Sequence, residues 1–204
     1  ATALAVPGGA GAQAPAGAQP APMPKRTLGK TGAEVSILCL GGMFDTVNNQ
    51  LLLRQALNWG VIYWDTAEAY GNGLSEEGFG RFFTRYPDTR KGIFLVSKFR
   101  PSPPDKMGEA LDKGLKRLCT DYVDAFFAHG ISDFGQIAGL RDWAEQMKKA
   151  GKIKFVGFST HTNMEDCLLA AAKSGWIDTV MFTYNFRLMN TPKMKEAVDA
   201  FGHT

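Results

Sequence analysis

Apolar and polar positions along the chain repeat one pattern six times. A short run rich in β-branched and aromatic residues is followed by a turn and then by an amphipathic stretch of helical spacing. The runs Ile37–Leu40, Val61–Trp64, Ile93–Lys98, Val123–Ala128, Ile153–Phe158 and Thr179–Tyr184 predict strands. The stretches Gln50–Trp59, Glu76–Tyr86, Asp105–Leu118, Gly135–Ala150, Met164–Ser174 and Thr191–Ala200 predict helices. Gly60 and Pro87 stop the first two helices. Ser75 is the expected N-cap of the second, with Glu76 and Glu77 suiting the positive end of its dipole. Ahead of this series, Arg26 to Ser36 holds two glycine-bearing turn signals and predicts a short β-hairpin.

Unbroken strand–helix alternation implies a parallel sheet of the α/β class. A (β/α)8 TIM barrel needs eight such units and about 250 residues. The six units in these 204 residues predict an incomplete barrel, cut at both ends and spanning residues 25–204. The competing architecture is a small doubly wound sheet, whose dinucleotide fingerprint should follow the first strand. Leu40-Gly41-Gly42-Met43-Phe44 lacks it, and in Gly71-Asn72-Gly73 the third glycine's place falls on Glu76.

Three successive strands end on chemistry. The second ends on Asp65, the third on Lys98, and the fourth leads to His129; Tyr70 lies in the loop after the first of these. A buried acid needs a cation near it. In a parallel barrel the C-terminal ends of the strands converge on one face. Each residue alone has a plainer reading: Asp65 as a turn cap, Tyr70 as a rim residue, Lys98 as a solvated strand end, His129 as a structural imidazole. Four such residues on one face are better explained as a site. A phenol has a pKa near ~10, and a neighbouring ammonium favours its ionised form. The expected roles are therefore Tyr70 as general acid, Lys98 as the group that tunes it, Asp65 as anchor, and His129 as orienter of a carbonyl.

These residues, within Asp65-Thr66-Ala67, Tyr70-Gly71, Ser97-Lys98 and Asp121-Tyr122-Val123-Asp124 leading to His129, resemble the aldo-keto reductase family. Gly151-Lys152-Ile153-Lys154 through Val156-Gly157-Phe158-Ser159, and Arg26-Thr27-Leu28-Gly29-Lys30-Thr31-Gly32 before Leu40-Gly41-Gly42, extend the likeness. Gly71-Asn72-Gly73 and His129-Gly130-Ile131-Ser132-Asp133 resemble a bacterial branch. The resemblance implies an oxidoreductase that reduces a small-molecule aldehyde or ketone with NADPH. It assigns Asp65, Tyr70, Lys98 and His129 the roles above. It puts Gly42, Met43 and Phe44 beside the nicotinamide ribose or substrate, Ser159 and Thr160 on the carboxamide, and Met181 against the ring. Many relatives have Asn in place of Thr160 and Gln in place of Met181. The resemblance also implies that the phosphate-gripping residues, and in some relatives a cysteine cluster for iron–sulfur, follow the last residue here. Residues 1–204 alone are thus expected to bind NADPH weakly and to aggregate. Trp64, Phe99 and Phe134 are candidates for a substrate pocket.

Composition narrows the partners. A formal net charge of +3 gives no basis for nucleic-acid binding, and no apolar run reaches membrane-spanning length. Cys39, Cys119 and Cys167 have no metal-like spacing; Cys39 and Cys167 read as small hydrophobes in the core. Ala1 to Pro24 is almost wholly Ala, Gly, Pro and Gln, which predicts a disordered tail. Its small residues resemble the end of an export signal, which would be of the twin-arginine type because a cofactor-bound barrel crosses folded. Read instead as a linker, the tail leaves a cytoplasmic protein. Two other functions compete with carbonyl reduction. One is a non-catalytic ligand-binding barrel, which the intact set of four residues disfavours. The other is a barrel lyase or isomerase using His129 and Lys98 without a nicotinamide.

Overall fold

In the computed structural model, residues 23–188 and 190–203 are described. Residues 1–22, on which the expectations of a disordered tail and an export signal fall, lie outside them. The hairpin forms from β1 (Lys25–Thr27) and β2 (Glu34–Ser36) around a one-turn 3-10 segment. Then come β3 (Cys39–Gly41), α1 (Gln50–Asn58), β4 (Tyr63–Asp65), α2 (Leu74–Arg85), β5 (Phe94–Phe99) and α3 (Pro104–Leu118). They are followed by β6 (Val123–Ala128), α4 (Arg141–Lys149), β7 (Ile153–Thr160), α5 (Met164–Ser174), β8 (Thr179–Phe182) and α6 (Pro192–His203). Strands β3 to β8 pair in sequence order, every pair parallel, as a curled six-stranded sheet. This is the fold of an incomplete (β/α)8 barrel, with β3 and β8 as its edges.

Strand alternation sorts the apolar residues into two cores. Trp64, Leu95, Phe99, Phe126 and Phe158 lie on the outer face, buried beneath the helices. Phe94, Val96, Ala125 and Phe127 lie on the inner face, and the hairpin packs Val35, Leu28 and Ala33 against them. Trp64 and Phe99, expected as pocket candidates, are therefore core residues at 0% and 2% exposure. Phe134 packs edge-on against Phe158.

Three boundaries differ from the sequence pattern for identifiable reasons. The first sheet strand begins at Cys39 because Ser36 interrupts the ladder. Its hydroxyl accepts from the Ile62 and Tyr63 amides and donates to the Leu38 carbonyl. Ile37 and Leu38 are left exposed, and Cys39 is exposed on the edge strand rather than packed in the core. The expected helix 135–150 splits into two 3-10 turns before Arg141. Phe134, Ile137 and Leu140 point inward at a spacing of three, which suits 3-10 geometry, and Asp133 and Gln136 close a capping box over the first turn. Finally, α2 begins two residues early, at Leu74 with left-handed Gly73 as its cap, so Ser75 is not the cap. The Ser75 hydroxyl is buried; it donates to the Gly42 carbonyl and shares a hydrogen bond with Thr66.

Candidate active site

On the inner face, a period of two places Asp65 at the end of β4, Lys98 at the end of β5 and Ser159 at the end of β7. His129 follows β6 by one residue; its amide donates to the Phe99 carbonyl, which fixes it beside β5. The loop after β4 continues the ladder for a few residues. The Thr66 amide donates to Val96, and the Glu68 amide to the Lys98 carbonyl. The chain then turns back through Gly71, Asn72 and Gly73 at φ of +60°, +55° and +93°. Three consecutive left-handed residues favour glycine or asparagine, and this turn leads the chain from Tyr70 into α2.

Lys98 is the centre of the arrangement. Its Nζ is 2.6 Å from Asp65 Oδ1, 2.9 Å from the Thr66 carbonyl and 3.2 Å from the Tyr70 phenol oxygen. All three ammonium hydrogens thus have an acceptor, and one is the phenol. The side chain is 1% exposed, so these contacts are not diluted by water. Burial pushes the Asp65 carboxyl up from its usual range, while Lys98 pulls it back down. Asp65 Oδ2 is buried and has no hydrogen-bond partner. Tyr70 and His129 meet edge to face, with ring centroids 5.8 Å apart. The His129 imidazole is held below its ordinary value, first by burial and then by the charges of Lys98, His161 and Arg100. The shift favours the neutral imidazole, which keeps one N–H to donate. All four residues singled out in the sequence come together at one end of the sheet.

The positions expected around a cofactor divide. Ser159 faces inward; its hydroxyl oxygen accepts from the Gly130 amide, which leaves its hydrogen to donate. Met181 sits opposite Ser159 in the ladder and is half-buried on the same face. Thr160 does not join them. It has the opposite parity, is wholly buried, and donates to the Thr162 carbonyl. Gly42 is buried too: an added Cβ would stand 2.7 Å from the Ser75 hydroxyl and 2.8 Å from the Asp65 carbonyl. Gly42 is thus a packing position under Asp65. Phe44 packs on the outer core, and Met43 is 80% exposed.

A second layer was not assigned a role from the sequence. Glu76, expected only to suit a helix dipole, is fully buried. It accepts from Ser97, the neighbour of Lys98, at 2.6 Å and from Arg117 Nε at 2.7 Å. The signal in the sequence is an acid whose neighbours three and four residues on along the helix, Phe79 and Gly80, are apolar or small.

A cleft of about 550 Å³ runs along the outer surface between α2 and α3, past Glu77, Arg81 and Lys116, and carries none of the four residues. Among the described residues no group of three or more His, Cys, Asp or Glu side chains is arranged to hold a metal ion. Among the same residues no helix is long and apolar enough to cross a membrane.

Comparison with known proteins bears on this geometry. The aldo/keto reductase family profile matches residues 38–201. A curated relative from Schizosaccharomyces pombe, the aldo-keto reductase yakc [NADP(+)], is 32% identical over 155 residues, covering 67% of this chain and 45% of its own. YhdN of Bacillus subtilis, also an aldo-keto reductase, is 28% identical, with 83% of this chain and 64% of that protein covered. The chain thus spans about half to two thirds of the length of these relatives. Among solved structures, a holo-form aldo-keto reductase from Bacillus halodurans superposes with a TM-score of 0.76 at 26% identity, covering 88% of this chain and 64% of that one. An aldo-keto reductase from Klebsiella pneumoniae in complex with NADPH gives 0.71 at 26% identity, covering 88% and 66%. With its profile matched over most of its length and its fold shared with these enzymes, the chain belongs to the aldo-keto reductase family.

Proposed function

We propose that the protein carrying this chain reduces a small-molecule aldehyde or ketone to an alcohol with NADPH, Tyr70 giving the proton. The single observation behind this reading is the Lys98 ammonium, anchored by Asp65 and donating to the phenol oxygen at 3.2 Å. As Tyr70 passes its proton to the carbonyl oxygen, negative charge grows on the phenol oxygen. A fixed ammonium hydrogen bond from a buried lysine stabilises that charge without reorganising. Neutral His129 beside Tyr70 donates to the same carbonyl oxygen and fixes its direction. A nicotinamide held at Ser159 and Met181 would supply the hydride that the carbonyl carbon takes up.

Two features of this chain fit a nicotinamide nucleoside at the mouth. The Ser159 hydroxyl has a hydrogen to give a carboxamide oxygen, and Met181 beside it offers an apolar face to a ring. Buried, unpartnered Asp65 Oδ2 would accept from a hydroxyl. The complex of the Klebsiella pneumoniae relative with NADPH supports the choice of that nucleotide.

The test is Tyr70→Phe in the intact protein, assayed by NADPH consumption against a panel of aldehydes and ketones, with NADPH binding followed by tryptophan fluorescence. Reduction should fall by about 10²–10⁴-fold, the range of general acid catalysis, with NADPH affinity unchanged. Turnover close to that of the unmodified protein removes Tyr70 from the mechanism.

A further inference from the structure

Arg117 stands at the last turn of α3, on the outer side of the sheet. Its contacts nonetheless bracket the Tyr70 loop. Nε donates to Glu76 Oε2 at 2.7 Å. Nη2 lies 2.6 Å from the same oxygen, off the line that a hydrogen bond needs, so that contact is electrostatic. Nη2 is also 3.9 Å from Glu68, two residues before Tyr70. On the far side of the loop, a Cβ on Gly73 would stand 3.0 Å from Arg117 Cδ and Nε, so the arginine stem lies against bare loop backbone. The other oxygen of Glu76 accepts from Ser97, the residue before Lys98. One buried carboxylate therefore ties the end of the loop that carries Tyr70 to the strand that carries Lys98.

Close helix packing makes this possible. A Cβ on Gly80 would collide with the Arg117 carbonyl, and one on Gly114 would stand 3.0 Å from Glu76 Oε1. The α2–α3 contact is thus built at backbone distance around the pair. Burial pushes the Glu76 carboxyl up, against the pull of Ser97 and Arg117. The plain alternative is an ion pair that only holds two helices together. It does not account for the contacts on both flanks of Tyr70, nor for the bond to the neighbour of Lys98.

We propose that Arg117, acting through Glu76, is a positioning residue that fixes the Tyr70–Lys98 geometry. This rests on the reading of Tyr70 as proton donor. Three full-length variants test it: Arg117→Met, the double Glu76→Gln/Arg117→Met, which leaves no unpaired buried acid, and Arg117→Lys, which keeps the charge but not the forked contact. For each, kcat with one carbonyl substrate, its pH dependence, NADPH affinity and thermal midpoint are measured.

The expected result is a fall in kcat of about 10- to 100-fold, the order carried by a misplacement of about 1 Å, with NADPH affinity unchanged. The limb of the kcat–pH profile that Tyr70→Phe removes should move, and Arg117→Lys should recover part of both effects. A lower thermal midpoint with unchanged kcat and pH profile in the folded enzyme overturns the proposal and leaves a structural pair. If Arg117→Met does not fold, the double variant and Arg117→Lys decide by the same readouts. If Tyr70→Phe itself retains turnover, the failure belongs to the functional reading, because that result does not depend on Arg117.

Discussion

Two buried ion pairs sit in one sheet at opposite ends of its strands, and they are built differently. At the N-terminal end, Arg90 meets Asp124 at 3.0 Å. Arg90 also donates to Thr120 and to the Ile93 and Tyr122 carbonyls. Asp124 accepts in addition from the Leu95 amide and from Lys154, so both of its oxygens are engaged. At the C-terminal end, Lys98 and Asp65 are comparably buried, yet Asp65 Oδ2 has no partner and one Lys98 hydrogen points at a phenol. A satisfied pair locks helix and strand junctions together. An incompletely satisfied one keeps hydrogen-bonding capacity for something else. The same contrast separates the two ends of (β/α)8 barrels generally, with stability at the bottom and chemistry at the top.

The contrast is open to test. Its largest expected effect is Lys98→Met. Removing the ammonium strands Asp65 and takes away the charge that faces Tyr70. Carbonyl reduction should drop by about 10²–10⁴-fold, and stability should fall by about 3–5 kcal/mol in urea unfolding. Adding Asp65→Asn should return much of the stability and none of the rate, which separates the two roles.

Arg90→Met comes next. It removes the buried guanidinium, but Asp124 keeps Lys154 and the Leu95 amide, so a smaller loss of about 1–3 kcal/mol is expected, while kcat of the molecules that remain folded stays as it was. A variant of normal stability and poor kcat would reverse the assignment of the two ends.

An effect no larger is expected from Gly73→Ala. Its φ of +93° is strained for a residue with a Cβ, and that Cβ would press on Arg117. A loss of about 1–3 kcal/mol is expected. If the loop carries Tyr70, kcat should fall more than NADPH affinity, as stopped-flow binding beside steady-state assays would reveal.

The smallest is the response of His129 to pH. Its folded-state value lies below the ordinary 6.5, so the unfolded chain takes up the proton first as pH falls. The contribution is fully present above about pH 6.5 and is lost as pH falls through the folded-state value. His129→Gln should flatten that part of the stability–pH curve, measured by denaturant midpoints between pH 5 and pH 7. A curve as steep as before would assign the slope to other groups.

Much of this was legible beforehand. Asp65, Lys98 and His129 stand out because each is a polar residue at the exit of an apolar run, and parallel strands must bring such exits together. Tyr70 is legible through its glycine-flanked loop. Arg90 and Arg117 are not: each lies 34 to 41 residues from the acid it meets, on a helix or turn where an arginine is ordinarily a solvated residue. Where Thr160 and Gly42 stand was not legible either: each adjoins an inward-facing position in sequence, but Thr160 has the opposite strand parity and donates to the Thr162 carbonyl, and Gly42 is packed against Ser75.

By itself the sequence determined the alternation of strands and helices, the parallel sheet, and the three polar strand ends, because all of these follow from local periodicity and chain connectivity. Tertiary structure decided which polar residues became buried partners and which aromatics became core. It set the 3.2 Å between Lys98 and Tyr70, and it left Asp65 Oδ2 without a partner. Those outcomes depend on how closely α2, α3 and the strand ends approach one another, and that distance is set by packing between segments far apart in the chain.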